Sequence, residues 1–192
     1  MASGFKIAEG DSVRPGSPED WEAWLAANFS SSTGTWVVFE KKSKVFHYGH
    51  ALDSALCYGW IDGQKRSLSE TSWTQWFVPR TKRSIWSKIN CAKALGLIEA
   101  GRMNPAGLAE VERAQADGRW GRAYDGPAKA EVPEDLAAAL NENPKAKAFF
   151  ETLRSNNRYA ILFRLQTAKK PETRAKRLKL YVEMLEEERT LH

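Results

Sequence analysis

The chain has 192 residues, with 29 Lys+Arg against 24 Asp+Glu and a net charge of +5. At 42% hydrophobic and 28% charged residues it is not a disordered chain, and no apolar run nears the roughly 20 residues that a membrane span needs. Two cysteines cannot build a disulfide framework, and MASGFKIAEGDSVRPGSPEDW reads as no secretory leader. The expectation is therefore a cytoplasmic protein with free thiols at Cys57 and Cys91 and no membrane insertion.

In chain order, residues 1–17 read as a flexible lead-in. Ser17-Pro18-Glu19-Asp20 supplies an N-cap, a proline at the first helical position and acids in the first turn, so a helix is predicted over 18–29. The β-branched and aromatic run TWVVFEK predicts a strand over 35–41. Residues 50–61 read as a helix closed by Asp62-Gly63. Two strands follow at 64–69 and 73–78, the second ended by Pro79. Ser84 is expected to cap a helix over 84–100, with Ile85, Ile89, Ala92 and Gly96 as its core stripe. A further helix spans 105–117.

All eight Trp lie at or before Trp120, and all thirteen Gly at or before Gly126. A long Gly-free stretch rich in Ala, Leu, Lys, Arg and Glu reads as helices. These are placed at 133–141, 144–155, 158–167 and 171–189, with RYAILFRLQT at the centre. The expected architecture is thus α+β and mostly helical. A small antiparallel sheet of about three strands is covered by helices in a mixed domain over 18–126, and a helical segment follows over 127–192.

Three groups of residues could carry chemistry. His50, Asp53, Cys57 and Trp60 share one side of the predicted 50–61 helix and could form a thiol–imidazole–carboxylate centre. The competing reading is that Cys57 is a small buried hydrophobe and the other two lie on the surface. Residues 63–98 hold seven basic residues and one acid, interleaved with Trp73, Trp76, Phe77 and Trp86. Stacking and phosphate contacts would make this a nucleic-acid surface. Inward-packed aromatics and solvated charges are favoured, so nucleic acid is not expected as a partner.

The third group is Arg80, Ser84, Trp86, Ser87 and Asn90. An Arg, a helix N-terminus and a Trp floor make an anion site. If Trp60 and Asp62 join it, the seven residues line one pocket for a small polar or anionic ligand. An Asp62–Arg80 pair would keep Asp62 ionised, which favours binding over catalysis. No G-x-S-x-G, Walker loop, H-E-x-x-H or C-x-x-C is present, so no cofactor and no metal is expected.

ALCYGWIDG (55–63), FVPRTKRSIWSKIN (77–90), GRMNPAG (101–107), DGRW (117–120), VPEDLAAAL (132–140) and TAKKPETRAKR (167–177) occur in this order. The series resembles the bacterial YdeI/OmpD-associated, or bacteriocin-protection, family from about Asp20 onward. The resemblance implies a small helical module over about 131–190, protection against bacteriocins or envelope-active peptides, and an association with an outer-membrane porin. It supplies no catalytic residues. The leading expectation is a non-enzymatic binding or protection protein. The alternatives are an enzyme with a thiol or acid–base centre at Cys57 or Asp62, and a nucleic-acid binder through 63–98.

Overall fold

A computed structural model describes residues 12–191. Residues 1–11 of the predicted lead-in fall outside the described residues. Its remainder contains strand β1 (Ser12–Val13) and Ser17, the cap of the first helix. The chain divides into two compact units. The first runs up to Trp86 and resumes over Asn90–Arg122, and the second holds Ser87–Ile89 and the residues from Ala123 onward.

In the first unit, α1 (Pro18–Asn28) starts with a capping box. The Ser17 hydroxyl accepts from the Asp20 amide, and the Asp20 carboxylate accepts from the Ser17 amide. Next come β2 (Thr35–Glu40), α2 (Tyr48–Cys57), β3 (Trp60–Ser67), β4 (Ser72–Pro79), α3 (Lys88–Glu99), whose first two residues fall in the second unit, and α4 (Pro105–Ala116). The sheet order is β1-β2-β4-β3, with β1 parallel to β2 and the other pairs antiparallel. The three expected strands are β2, β3 and β4. The fourth, β1, has two residues and is too short to show alternation.

Register decides which side chains meet α1 and α2. Phe77 lies opposite Thr35, and Phe39 opposite Trp73. Phe77, Val37 and Phe39 pack with Trp21 and Leu25 of α1, Ala51 and Ala55 of α2, and Trp60. Trp36 and Trp76 pair on the opposite face, their ring centroids 5.2 Å apart.

Two predicted boundaries move. The helix expected over 50–61 ends at Cys57, and Gly59 turns the chain with φ +75°. That backbone favours glycine, and a Cβ there would also meet the Ala106 carbonyl oxygen at 3.0 Å. Trp60 and Asp62 are therefore strand residues. The helix expected from Ser84 starts at Lys88. Its buried face is Asn90, Cys91, Ala94 and Leu97, while Ile85 and Ile89 of the predicted core stripe point outward. Both sides of this helix are apolar, so periodicity alone could not choose between them.

The second unit contains α5 (Glu134–Glu142), α6 (Pro144–Thr152), α7 (Ser155–Gln166) and α8 (Pro171–Glu186). Pro and Asn mark its breaks, and the Asn143 side chain accepts from the Ala146 amide to cap α6. Leu136 and Leu140, Phe150, Ile161, Leu162 and Leu165, and Tyr181 and Leu185 form its core. The run RYAILFRLQT is helical and contributes the middle three of these. Among the described residues no helix is long and apolar enough to cross a membrane.

Candidate functional site

The seven predicted pocket residues do not form one cluster. Trp60 turns into the core of the first unit, where it is buried. Its indole N–H donates to the Phe29 carbonyl at 3.1 Å, and Trp24 meets it edge-on. Asp62 stands opposite Phe77, and its carboxylate accepts from the Tyr48 hydroxyl at 2.9 Å and from the Gln75 amide at 3.4 Å. The sequence reading paired it with Arg80.

Arg80 follows β4 and is 5% exposed. Its backbone N–H donates to Gly59 O, and its guanidinium lies over Trp86, with Cζ 3.5 Å from the ring centroid. Its Nη1 donates to Ile85 O at 3.2 Å. Arg119, which sequence reading did not single out, reaches the same segment. Its Nη1 donates to Ser84 O at 2.7 Å, and its Nε donates to both Asp117 oxygens. Desolvation works against ionisation of Asp117, but the hydrogen bonds and charge of Arg119 hold its carboxyl below the usual range. Trp120 packs against Trp86 at 4.9 Å.

Ser84 is not a helix cap. Its hydroxyl accepts from the Thr81 amide at 2.9 Å and closes a turn over 81–84. The helix start expected there is therefore corrected: the segment 84–86 lies outside any helix or strand, and the Ser84 and Ile85 carbonyls accept from Arg119 and Arg80. Ser87 is buried and bridges to Tyr124 within the second unit. Asn90 is buried in the first turn of α3.

The thiol–imidazole–carboxylate group separates as well. His47 caps α2, accepting from Gly49 N, and His50 stacks on it at 3.6 Å. Asp53 pairs with Lys93 at 2.6 Å. Burial pushes the Cys57 thiol up to about 11, with Arg102 pulling the other way, and burial pushes Cys91 to about 11 against the pull of Arg80. Neither is a ready nucleophile. Among the described residues no group of three His, Cys, Asp or Glu could hold a metal. In the basic stretch, Lys65 lies over Trp73 at 4.2 Å, Arg80 over Trp86, and Lys88 and Lys93 pair with Asp125 and Asp53.

The second unit holds a cavity of about 820 Å³. Lys88, the 125–134 segment, α7 and α8 line it. Asp125 organises one wall. Its carboxylate accepts from Lys88 Nζ and Gln166 Nε2, and its carbonyl accepts from the Tyr159 hydroxyl. The hydrogen bonds from Lys88 and Gln166 hold the Asp125 carboxyl below the usual range. Arg174 fixes another wall. It donates to both Asp135 oxygens and, through Nη1, to Leu165 O, and these bonds lower the Asp135 carboxyl. Val132, Pro133 and Leu162 are apolar wall, and Lys129, Glu131 and Glu134 have no ion-pair partner among the described residues.

Sequence reading missed this cavity because Asp125-Gly126-Pro127 looked like a linker turn. The one signal was TAKKPETRAKR, quoted for resemblance, which contains Arg174.

Residues 13–110 match the family described as "Domain of unknown function (DUF8412)". Residues 129–188 match the family described as "Bacteriocin-protection, YdeI or OmpD-Associated". The second match covers the last third of the chain, so ALCYGWIDG, FVPRTKRSIWSKIN and GRMNPAG fall within the first. No curated protein and no solved structure matches the chain.

Proposed function

Because the chain belongs to the DUF8412 family through residues 13–110 and carries a YdeI/OmpD-associated domain over 129–188, we propose that it is a non-enzymatic protection protein that binds a small zwitterionic ligand. The site is the cavity of the second unit, and the ligand class is a free amino acid or short peptide. The observation that carries this reading is the cavity lining. Fixed groups (Asp125, Gln166, Arg174) frame apolar wall at Val132 and Leu162, and opposite charges stand ready at Lys129 and at Glu131 and Glu134. The volume suits a small molecule.

Binding is favoured over acid–base chemistry because the Asp125 carboxyl, which lines the cavity, and the Asp135 carboxyl, which holds Arg174, are lowered. Both are ionised at neutral pH and poor proton donors. The two free, buried cysteines support a cytoplasmic setting. Protection against bacteriocins comes to this chain from the family description alone.

A panel of amino acids and dipeptides, titrated into isotope-labelled protein and followed by NMR, tests the proposal. Shifts confined to the neighbourhood of Lys129, Glu131 and Gln166 are expected, with about a tenfold loss of affinity in Lys129→Ala. No shift at millimolar ligand, or shifts unchanged in Lys129→Ala, would sink it.

A second reading keeps Arg80 and Trp86 of the predicted anion site and adds Arg119. It is favoured by two buried polar atoms, Arg119 Nη2 and Trp86 Nε1, which have no hydrogen-bond partner among the described residues. Inorganic phosphate in the same titration would then shift the Trp86 indole signal.

A further inference from the structure

Gly126-Pro127-Ala128-Lys129 is a turn with proline at its second position, and the Lys129 amide closes it on the Gly126 carbonyl at 3.0 Å. Asp125, just before that turn, is held from several sides. Its amide donates to Gln166 Oε1 at 3.2 Å, its Oδ2 accepts from Gln166 Nε2 at 3.0 Å, and its carbonyl accepts from the Tyr159 hydroxyl at 2.9 Å. Ser87 and Lys88 run beside Tyr124, and the Lys88 amide donates to the Tyr124 carbonyl at 2.8 Å. With its backbone held there, the Lys88 ammonium lies on the Asp125 carboxylate, 2.8 Å from Oδ1 and 2.9 Å from Oδ2. Lys88, Asp125 and Lys129 all line the cavity of the second unit.

Lys129 stands near enough for its charge to help hold the Asp125 carboxyl low. Two ammonium groups thus share one carboxylate, and one positive charge is left over at this wall. The carboxylate is already engaged by Lys88 and Gln166, and its side chain is only 20% exposed. The Lys88 side chain is 63% exposed, and Lys129 is exposed as well. An ammonium carries three donors, so the bond to Asp125 leaves Lys88 with donors to spare. One surplus charge with spare N–H groups on two side chains matches a monoanion with two oxygens, a carboxylate. Asp125 offsets the repulsion that would otherwise drive the two ammonium groups apart. Gln166 fixes Asp125 by main chain and side chain together, so the arrangement exists before any ligand arrives.

Resting on the cavity reading above, we propose that Lys88 and Lys129, gathered by Asp125, are the seat of the ligand's free carboxylate. The cavity then recognises its ligand from the carboxyl end. The ligand is an α-amino acid, or the C-terminal residue of a short peptide, with its side chain against the apolar wall at Val132 and Leu162. A compound whose carboxyl group is masked as an amide loses the anchor. One whose amino group is masked keeps it.

Leucine, N-acetylleucine and leucinamide, titrated to millimolar concentration into the isotope-labelled full chain and followed by NMR, test this. Leucine and N-acetylleucine should move the amide signals of Asp125, Lys129 and Gln166, and leucinamide should bind about tenfold more weakly. Lys88→Met and Lys129→Met keep the aliphatic stem. Each should weaken N-acetylleucine about tenfold with a nearly unchanged melting curve, whereas Lys88→Arg should retain binding. Leucinamide binding as tightly as leucine at the same amides overturns the carboxylate seat and leaves the cavity reading standing. So does N-acetylleucine moving nothing while leucine binds, or Lys88→Met binding N-acetylleucine like the wild type. A panel in which no compound moves these amides overturns both.

Discussion

Trp21 in the first unit and Leu165 in the second are both fully buried, but they hold their surroundings by different means. Trp21 stacks on Trp24 at 5.2 Å, tilts against Phe77 at 5.5 Å, and donates its indole N–H to the Ala51 carbonyl at 3.0 Å. Its position is fixed by direction as well as by volume. Leu165 sits among Leu136, Leu140, Ile161, Leu162 and Leu185, and only its backbone is tied, through Arg174. The first unit thus places order inside its core. The second fills its core mostly with aliphatics, joined by Phe150 and Tyr181, and keeps its oriented polar bonds at the rim, where the cavity lies.

Replacing each residue by a similar one separates these designs. Trp21→Ala should cost about 3–5 kcal/mol, and Trp21→Phe, which leaves the Ala51 carbonyl without its donor, about 1–3 kcal/mol. Leu165→Met should cost less than about 1.5 kcal/mol because it conserves volume. Urea unfolding read by circular dichroism checks all three. A Leu165→Met loss as large as that of Trp21→Phe would erase the distinction.

The arginines make the same contrast on a smaller scale. Arg80 is nearly fully buried, lies on an aromatic ring and donates to a carbonyl. Arg174 is bound by a carboxylate that is itself partly in solvent. Arg80→Ala should therefore cost about 2–3 kcal/mol, the loss of a charged hydrogen bond in a dry site. Arg174→Ala should cost about 1 kcal/mol, since solvent screens its pair. If Arg80→Ala leaves the melting temperature unchanged, its guanidinium does not brace the 84–86 segment.

Protonation should reveal the two units at opposite ends of the pH scale. Asp125 and Asp135 in the second unit have lowered carboxyls, the first through bonds from Lys88 and Gln166, the second through Arg174. A group lowered on folding stabilises above its ordinary range, and that stability disappears as the pH falls through the lowered value, here below roughly pH 4. Cys57 and Cys91 in the first unit are raised to about 11. Their contribution is present below the ordinary thiol range and is lost as the pH rises through about 11. All eight tryptophans are in the first unit, so their fluorescence reports it alone. Acid should reduce helical ellipticity before tryptophan emission changes, and alkali should reverse that order. Asp117, paired with Arg119 but largely solvent-screened, weakens the acid contrast only slightly.

The legibility of the sequence follows the same division. Ser17-Pro18 announced α1, and Asn143, Pro144 and Pro171 marked the breaks of the second unit, because a cap or a missing N–H acts locally. The turn near residue 60 was not legible. Gly59 and Gly63 both offered a turn, and pairing of Trp60 with Pro79 across the sheet decided for Gly59. Asp62 was read as a pocket residue because it seemed to end a helix. As a strand residue, it meets Tyr48 from a helix distant in sequence. Arg80 and Trp86 lie within one short segment and were both read as pocket residues, the one as anion contact and the other as wall, whereas they stack on each other. The cavity joins Lys88, Asp125, Gln166 and Arg174, which are far apart along the chain, and no spacing rule connects them.

The smallest expected effect is a gain. Gly96 lies in the interior of α3 with open space around the position of a Cβ. Glycine there costs the helix conformational entropy on folding without serving a close contact or a positive φ. Gly96→Ala should stabilise the protein by about 0.5–1 kcal/mol, measured by urea unfolding. Gly107 of α4 is the control. A Cβ there would collide with the Cys57 carbonyl of α2, so the same substitution must push the two helices apart and destabilise. No helix of the second unit contains a glycine, so this test has no counterpart there. If Gly96→Ala were destabilising, the side of α3 that carries Gly96 would already be packed within the chain.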